Sequence, residues 1–133
     1  MQAAATLPRI ALTSGEPAGI GPELCAMLAA QRDLPCELVC LGDRALLAER
    51  AAAAGVSLTL QPYVPAGAPQ PHRRGTLTVL DLPLAARSDP GRLDTANARY
   101  VLALLDRAIE GSRGGEFAEI GRASCRERVF SSV

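Results

Sequence analysis

Apolar and polar positions change their period along the chain, and each change marks an element. Residues 9–13, Arg-Ile-Ala-Leu-Thr, form a short apolar run closed by Ser14 and Gly15, the pattern of a buried strand ending in a turn. Pro22 suits the first turn of a helix, where its missing N–H costs nothing, and Leu24, Met27 and Leu28 then share one face as far as Gln31. Residues 37–41 read as a second strand, with Gly42 and Asp43 supplying a turn and helix N-cap. Leu46, Leu47, Ala51 and Ala54 form the apolar stripe of a second helix, stopped by Gly55. Residues 56–61 predict a third strand, 62–75 an irregular Pro-rich connection, and 76–80 a fourth strand with β-branched alternation. Asp94 or Thr95 then caps a long helix that directs Ala98, Val101, Leu102, Leu105, Ala108 and Ile109 inward and ends at Gly111.

Strands alternating with helices of about ten residues predict an α/β fold of three layers, α/β/α, with a mostly parallel sheet covered on both faces. No internal repeat is found. In such sheets ligands gather at the carboxyl ends of strands. Attention therefore falls on the loop that leaves the first strand.

Composition narrows the function classes. The 133 residues carry 14 Lys+Arg against 14 Asp+Glu, so the formal net charge is zero and the basic footprint of a nucleic-acid binder is missing. Hydrophobic residues make up 48% and charged residues 21%, which suits a packed core built from Ala, Leu and Val with few rings. The longest stretch without charge, residues 51–71, contains Gly55, Pro62, Pro65, Gly67 and Pro69 and cannot form a membrane-spanning helix. Residues 1–5 lack the basic start and apolar run of a secretory leader, so the expectation is a cytoplasmic protein with no membrane and no nucleic-acid partner. Cys25, Cys36, Cys40 and Cys125 have no metal-type spacing, and His72 is the single histidine. They read as reduced thiols, with no metal site in this chain.

The loop Thr13-Ser14-Gly15-Glu16-Pro17-Ala18-Gly19-Ile20-Gly21-Pro22-Glu23 packs three glycines and two prolines into eleven residues. Glycines allow positive φ or close backbone approach, and the helix start that follows offers N–H groups and a positive dipole end. It is not a P-loop, since no Lys or Ser/Thr follows the last glycine. Nor is it the dinucleotide fingerprint, because Leu24 stands where the third glycine belongs. Gly15, Glu16, Pro17, Ala18, Gly19, Ile20 and Gly21 are the candidate ligand-proximal residues. Glu16 has two readings, a contact to ligand or a brace that bonds its own backbone. The charges of Glu16 and Glu23 argue against a bare phosphate cradle.

The literal string resembles the N-terminal signature T-x-G-[DE]-P-A-G-I-G-P-E of the 4-hydroxythreonine-4-phosphate dehydrogenases of pyridoxal phosphate biosynthesis, the PdxA family. Further agreement lies in Glu37-Leu38-Val39, Asp43, Leu47, Leu58-Thr59-Leu60, Gly91, Asn97-Ala98-Arg99-Tyr100-Val101 and Gly115-Glu116-Phe117-Ala118. The resemblance covers residues 7–118 and roughly the first third of a family chain. It implies a fold like that of isocitrate and isopropylmalate dehydrogenases, here its incomplete N-terminal portion, and a homodimeric parent protein. The implied reaction is NAD- or NADP-dependent oxidation of 4-phosphohydroxy-L-threonine, followed by decarboxylation to 3-amino-2-oxopropyl phosphate. A divalent metal (Zn, Mg or Co) would act as Lewis acid. In the family three histidines hold that metal, and a Lys, an Asn and an Arg bind substrate; all lie beyond Ala118. The chain has no Lys, and His72 matches none of the metal ligands. No catalytic residue is therefore assigned within it, and the chain alone is expected to be inactive. Alternatives are a paralogue acting on 4-phosphothreonate or 4-phosphoerythronate, a non-catalytic binding module, and a phosphate acyltransferase of similar fold.

Two segments complete the reading. His72, Arg73 and Arg74 are expected at a solvated loop tip, Asp43 as a helix cap and Glu37 as a strand-edge charge. From Glu119 the run Glu-Ile-Gly-Arg-Ala-Ser-Cys-Arg-Glu-Arg-Val resembles the translation of a short-read sequencing adapter. The expected organisation is thus an N-terminal α/β segment, residues 1–118, followed by an adapter-derived tail, residues 119–133.

Overall fold

A computed structural model describes residues 7–122. Its elements run β1 Arg9–Thr13, α1 Gly21–Gln31, β2 Glu37–Gly42, α2 Arg44–Ala53, β3 Thr59–Pro62, β4 Thr76–Asp81, a 3-10 turn Thr95–Asn97, α3 Ala98–Arg113 and β5 Glu119–Arg122. The strands form one sheet in the order β3-β4-β2-β1-β5, and all four pairings are parallel. Arg9 stands beside Glu37 and Leu12 beside Cys40, so every strand ends on the same edge of the sheet.

The period-2 alternation of side chains splits the strands between two cores. Leu12, Leu38, Cys40, Leu77 and Val79 face Cys25 and Ala29 of α1 and Leu47 of α2. Ala11, Val39 and Leu41 face Tyr100, Leu104 and Ala108 of α3, with Phe117 beside them. These are the three layers that the sequence pattern predicts, and the sheet is parallel throughout.

Local chemistry explains where the boundaries shift. The third strand starts at Thr59 rather than Val56 because Val56 completes the end of α2. Gly55 takes φ +73°, its N–H reaches the Ala52 carbonyl at 3.1 Å, and the Val56 N–H reaches Ala51 at 2.9 Å. That is a Schellman closure, which consumes the residues before the strand.

The helix faces need correction. On α1 Cys25, Ala26 and Ala29 are fully buried, as are Gly21 and Pro22 at its start, whereas Met27 is 45% exposed and Leu24 and Leu28 are half-buried. Small side chains let the helix approach the sheet closely, and the larger ones lie along its flank. On α2 Leu46, Leu47 and Ala51 are buried as expected, but Ala54 is exposed beyond the last turn. On α3 the sheet-facing row is Tyr100, Leu104, Ala108 and Gly111, while Leu102 is 59% and Ile109 45% exposed. Of the six positions expected inward only Ala108 is fully buried, and the helix continues past Gly111 to Arg113.

Two polar residues also differ from expectation. Glu37 is a buried residue of central strand β2, paired with Arg9 Nε at 2.5 Å and accepting the Gln70 N–H at 3.0 Å. His72 is buried against α1, its Nε2 at 3.1 Å from the Ala29 carbonyl, and only its neighbours Arg73 and Arg74 meet solvent. Of the segment 119–133, residues Glu119–Arg122 form edge strand β5, with Ile10 opposite Glu119 and Leu12 opposite Gly121. Residues 123–133, including Cys125, and residues 1–6, on which the expectation of no secretory leader rests, lie outside the described residues.

Candidate functional site

Strand β2 feeds α2 on one face of the sheet, and its neighbour β4 feeds α3 on the other. Between them the carboxyl edge opens at a topological switch point, the place where parallel α/β sheets bind ligands. Three segments meet there: the glycine-rich loop after β1, the start of α2, and the loop of residues 82–94 after β4.

The glycine-rich loop begins at Gly15, whose φ of +75° an L side chain rarely adopts. Pro17, Ala18 and Gly21 are buried, while Ile20 is 54% exposed. Ser14 anchors the loop's origin, its hydroxyl donating to the Leu41 carbonyl at 3.0 Å and its N–H to the same oxygen at 3.1 Å. The fit against β2 is tight enough that a Cβ at Gly42 would lie 2.6 Å from the Ser14 Oγ. Glu16 braces the loop from within: its Oε1 accepts the Ala18 N–H at 3.3 Å, and its carbonyl accepts the Gly19 N–H at 3.0 Å. Ile20 caps α1 without a side-chain hydrogen bond.

Beneath the loop lies Arg50 of α2, a residue that the apolar pattern alone does not mark. Its side chain is 1% exposed, and Nη1 donates to the Gly19 carbonyl and to Glu23 Oε1, each at 3.0 Å. Nη2 donates to the Pro17 carbonyl. The available signal was positional, since Arg50 follows Leu46 by four and Leu47 by three and so lies on the buried stripe of α2. An arginine is rarely buried there without partners.

Asp43 ties the other two segments together. Its Oδ1 accepts the Leu46 N–H at 2.9 Å, the expected cap, and Oδ2 accepts the Leu84 N–H at 2.8 Å across the switch point. The Asp43 N–H donates to the Tyr100 hydroxyl at 2.8 Å. Burial pushes that phenol up to about 12, so it stays neutral. Asn97 fixes the same loop, its Oδ1 accepting from Ala85 and Ala86 at 3.1 and 2.9 Å. The loop in turn touches the glycine-rich segment through Gly91 N–H to Ala18 O at 2.7 Å.

Among the described residues no group of three or more His, Cys, Asp or Glu is placed to hold a metal ion, and His72 is turned into the core. Cys25 and Cys40 are buried together, and their mutual hydrogen bond, then burial, raise the Cys40 thiol well above its ordinary value. A cavity of about 250 Å³ lined by Gln61, Gln70, His72, Arg73, Thr76 and Thr78 lies near the amino end of β4, opposite the loop edge. No helix among the described residues is long and apolar enough to cross a membrane.

An open parallel sheet with helices on both faces, and a braced glycine-rich loop at its carboxyl edge, defines an α/β protein of the three-layer class. The family model described as "Pyridoxal phosphate biosynthetic protein PdxA" matches residues 34–132, and the chain belongs to that family. A curated relative from Azoarcus sp., named 4-hydroxythreonine-4-phosphate dehydrogenase, is 58% identical over 126 residues. That span is 95% of this chain and 37% of the relative, so the chain spans little more than a third of the curated relative's length. The crystal structure of a 4-hydroxythreonine-4-phosphate dehydrogenase from Klebsiella pneumoniae superposes with a TM-score of 0.73 at 26% identity, over 86% of this chain and 36% of that one. A protein of the same name from Burkholderia phymatum gives a TM-score of 0.75 at 22% identity, over 89% of this chain and 36% of its own, a likeness of fold.

Proposed function

We propose that the whole protein containing this chain is an oxidoreductase that oxidises the secondary alcohol of 4-phosphohydroxy-L-threonine with NAD or NADP as hydride acceptor. The carbinol hydrogen leaves as hydride to the nicotinamide, and the hydroxyl proton goes to solvent. The resulting 2-amino-3-oxo acid loses its carboxylate as carbon dioxide, and the enolate left behind takes a proton from solvent on the former α-carbon, giving 3-amino-2-oxopropyl phosphate for pyridoxal phosphate synthesis. One observation carries the reading: 58% identity, across nearly the whole chain, to a relative of that name.

Within this reaction the chain supplies scaffold and loop. Its sheet sets the carboxyl edge, and Arg50, Glu16 and Ser14 fix the loop that residues 15–21 present there. The described residues do not fit a metal site. By the family resemblance, a divalent metal and the Lys, Asn and Arg of the substrate site are supplied by the rest of the protein, which we propose is a cytoplasmic homodimer without nucleic-acid or membrane partners.

Full-length protein given 4-phosphohydroxy-L-threonine and NAD or NADP should raise absorbance at 340 nm and release carbon dioxide in equal amounts. Turnover on 4-phosphothreonate or 4-phosphoerythronate instead would replace the substrate and keep the class. Failure with all three would overturn the reading.

We also propose that residues 119–133 are adapter-derived, on the strength of the Glu119 to Val129 string. The family match itself runs on to residue 132. Sequencing the source DNA across the Ala118 codon decides between them, and a genomic frame that encodes the same fifteen residues would refute the adapter origin.

A further inference from the structure

The loop of residues 82–94 is secured unevenly along its length. Its first half is fastened to the body of the fold. The Leu82 N–H reaches the Gly42 carbonyl at 3.0 Å, Leu84 reaches Asp43, and Ala85 and Ala86 share the Asn97 carboxamide, whose Nδ2 returns a bond to the Ala86 carbonyl at 3.1 Å. Asp94 fixes the far end, its Oδ1 accepting the Ala96 N–H at 2.9 Å. Between these posts residues 87–93 close on themselves. Pro90 and Gly91 take the two central places of a tight turn, Gly91 at φ +77°, and the Arg92 N–H bonds the Asp89 carbonyl at 3.1 Å.

Among the described residues this turn has one hydrogen bond to the rest of the fold, from the Gly91 N–H to the Ala18 carbonyl at 2.7 Å. Within 87–93 only Ser88 is buried, at 6% exposure, and its Oγ has no partner. Leu93, the one large apolar side chain there, is 77% exposed. The seated turn therefore gains almost nothing from apolar burial. It keeps one backbone bond and shuts one hydroxyl away from water, and these two effects oppose each other. Lifting the turn gives the Gly91 N–H and the Ser88 hydroxyl water as a partner, so seated and lifted positions lie close in free energy. The root of the loop, tied by Asp43 and Asn97, has no such balance.

We infer that residues 87–93 are a latch built into the carboxyl edge. The turn swings from the glycine-rich loop as a unit about Ala86 and Asp94, breaking the Gly91–Ala18 bond and widening the crevice between the two loops. The sheet and the root of the loop stay folded, and the Asp89–Arg92 bond keeps the turn's shape. This movement governs access to the edge and is independent of what binds there.

The test follows hydrogen exchange at single amides in full-length protein, as wild type and Ser88→Ala. In wild type the Gly91 amide should exchange at least about tenfold faster than those of Ala85 and Ala86. Low urea should leave the Gly91 rate unchanged, because the opening exposes little surface. Ser88→Ala removes the hydroxyl that the seated turn strands, so it should slow Gly91 exchange about fivefold or more and change Ala85 and Ala86 less than about twofold. The sign is diagnostic, since losing a side chain that merely packed the turn would speed exchange. Trypsin gives a second readout at Arg87 and Arg92, both exposed, and nicking there should slow in Ser88→Ala by a similar factor. Equal protection at Gly91 and Ala86 overturns the inference, as does a Gly91 rate that climbs with urea as the core amides do. Exchange unchanged or faster in Ser88→Ala overturns it equally. Neither readout involves turnover, so the dehydrogenase reading stands or falls separately.

Discussion

Asp43 bonds Leu46 and Leu84 through its carboxylate and Tyr100 through its N–H, and two of these three were invisible along the sequence. The cap to Leu46 is local, three residues on, and could be read directly; the bond to Leu84 spans 41 residues and the one to Tyr100 spans 57. The same holds for Arg50, whose loop partners lie more than 30 residues away. By contrast Glu16 braces its own loop over two residues, one of the two readings its position allowed. Tyr100→Phe removes the acceptor of the half-buried Asp43 N–H, which should cost about 0.5–1.5 kcal/mol in urea unfolding. A loss within error would show that water replaces the phenol.

Glu116 gives a pH signature at the same scale. Arg107 forks onto it at 2.8 and 2.9 Å and the Tyr63 hydroxyl donates at 2.6 Å. The Arg107 bonds foremost, aided by Tyr63 and opposed by burial, hold its carboxyl below the usual range. A depressed folded value stabilises the fold above the ordinary carboxylate pKa and is lost as pH falls through it. The stability gap between wild type and Glu116→Gln should therefore be widest near neutral pH and close below about pH 4. A gap that persists in acid would assign the effect to shape rather than charge. Tyr63 is pushed up to about 12, by burial first and Glu116 second, so its contribution is complete below pH 10 and fades as pH rises through 12.

At the scale of elements, strand and helix order was legible and helix rotation was not. Strands show through short apolar runs bounded by Gly and Pro; β2 is buried on both faces along its length and β1 toward its carboxyl end, while β4 alternates. On α3 two apolar stripes overlap, and the size of Leu102 and Ile109 favoured the wrong one. Tyr100 lies outside the expected stripe, and its hydroxyl is seated by the Asp43 N–H, a partner 57 residues away. Leu104→Ala should cost about 2–5 kcal/mol as a cavity in the core, whereas Leu102→Ala should stay within about 0.5 kcal/mol. Comparable losses from the two would put the helix in the expected rotation after all. Gly111 is a sharper test, since a Cβ there would collide with the Phe117 ring. Alanine ordinarily gains about 1 kcal/mol over glycine inside a helix, but overpacking costs about 1–3 kcal/mol. Gly111→Ala should thus lower the unfolding midpoint, and a raised midpoint would mean that the ring has room to move.

For the molecule as a whole, alternation of strands and helices fixes a parallel α/β sheet, yet the order β3-β4-β2-β1-β5 had no sequence signal. Order is decided by which helix covers which face, and the coverage depends on contacts far apart in the chain. The glycine-rich loop was legible as a candidate because its residue types are unusual; the clamp beneath it was not. At 37% of its curated relative's length the chain holds a scaffold edge and a braced loop, and the described residues hold no metal-type cluster. On the proposed dehydrogenase reading, turnover belongs to the whole protein, and this chain supplies a braced loop at its sheet edge. The most direct test gives the purified 133-residue chain 4-phosphohydroxy-L-threonine, NAD or NADP and a divalent metal, and follows absorbance at 340 nm beside the full-length protein. NADH or NADPH should form with the full-length protein alone. Turnover by the 133-residue chain would contradict it.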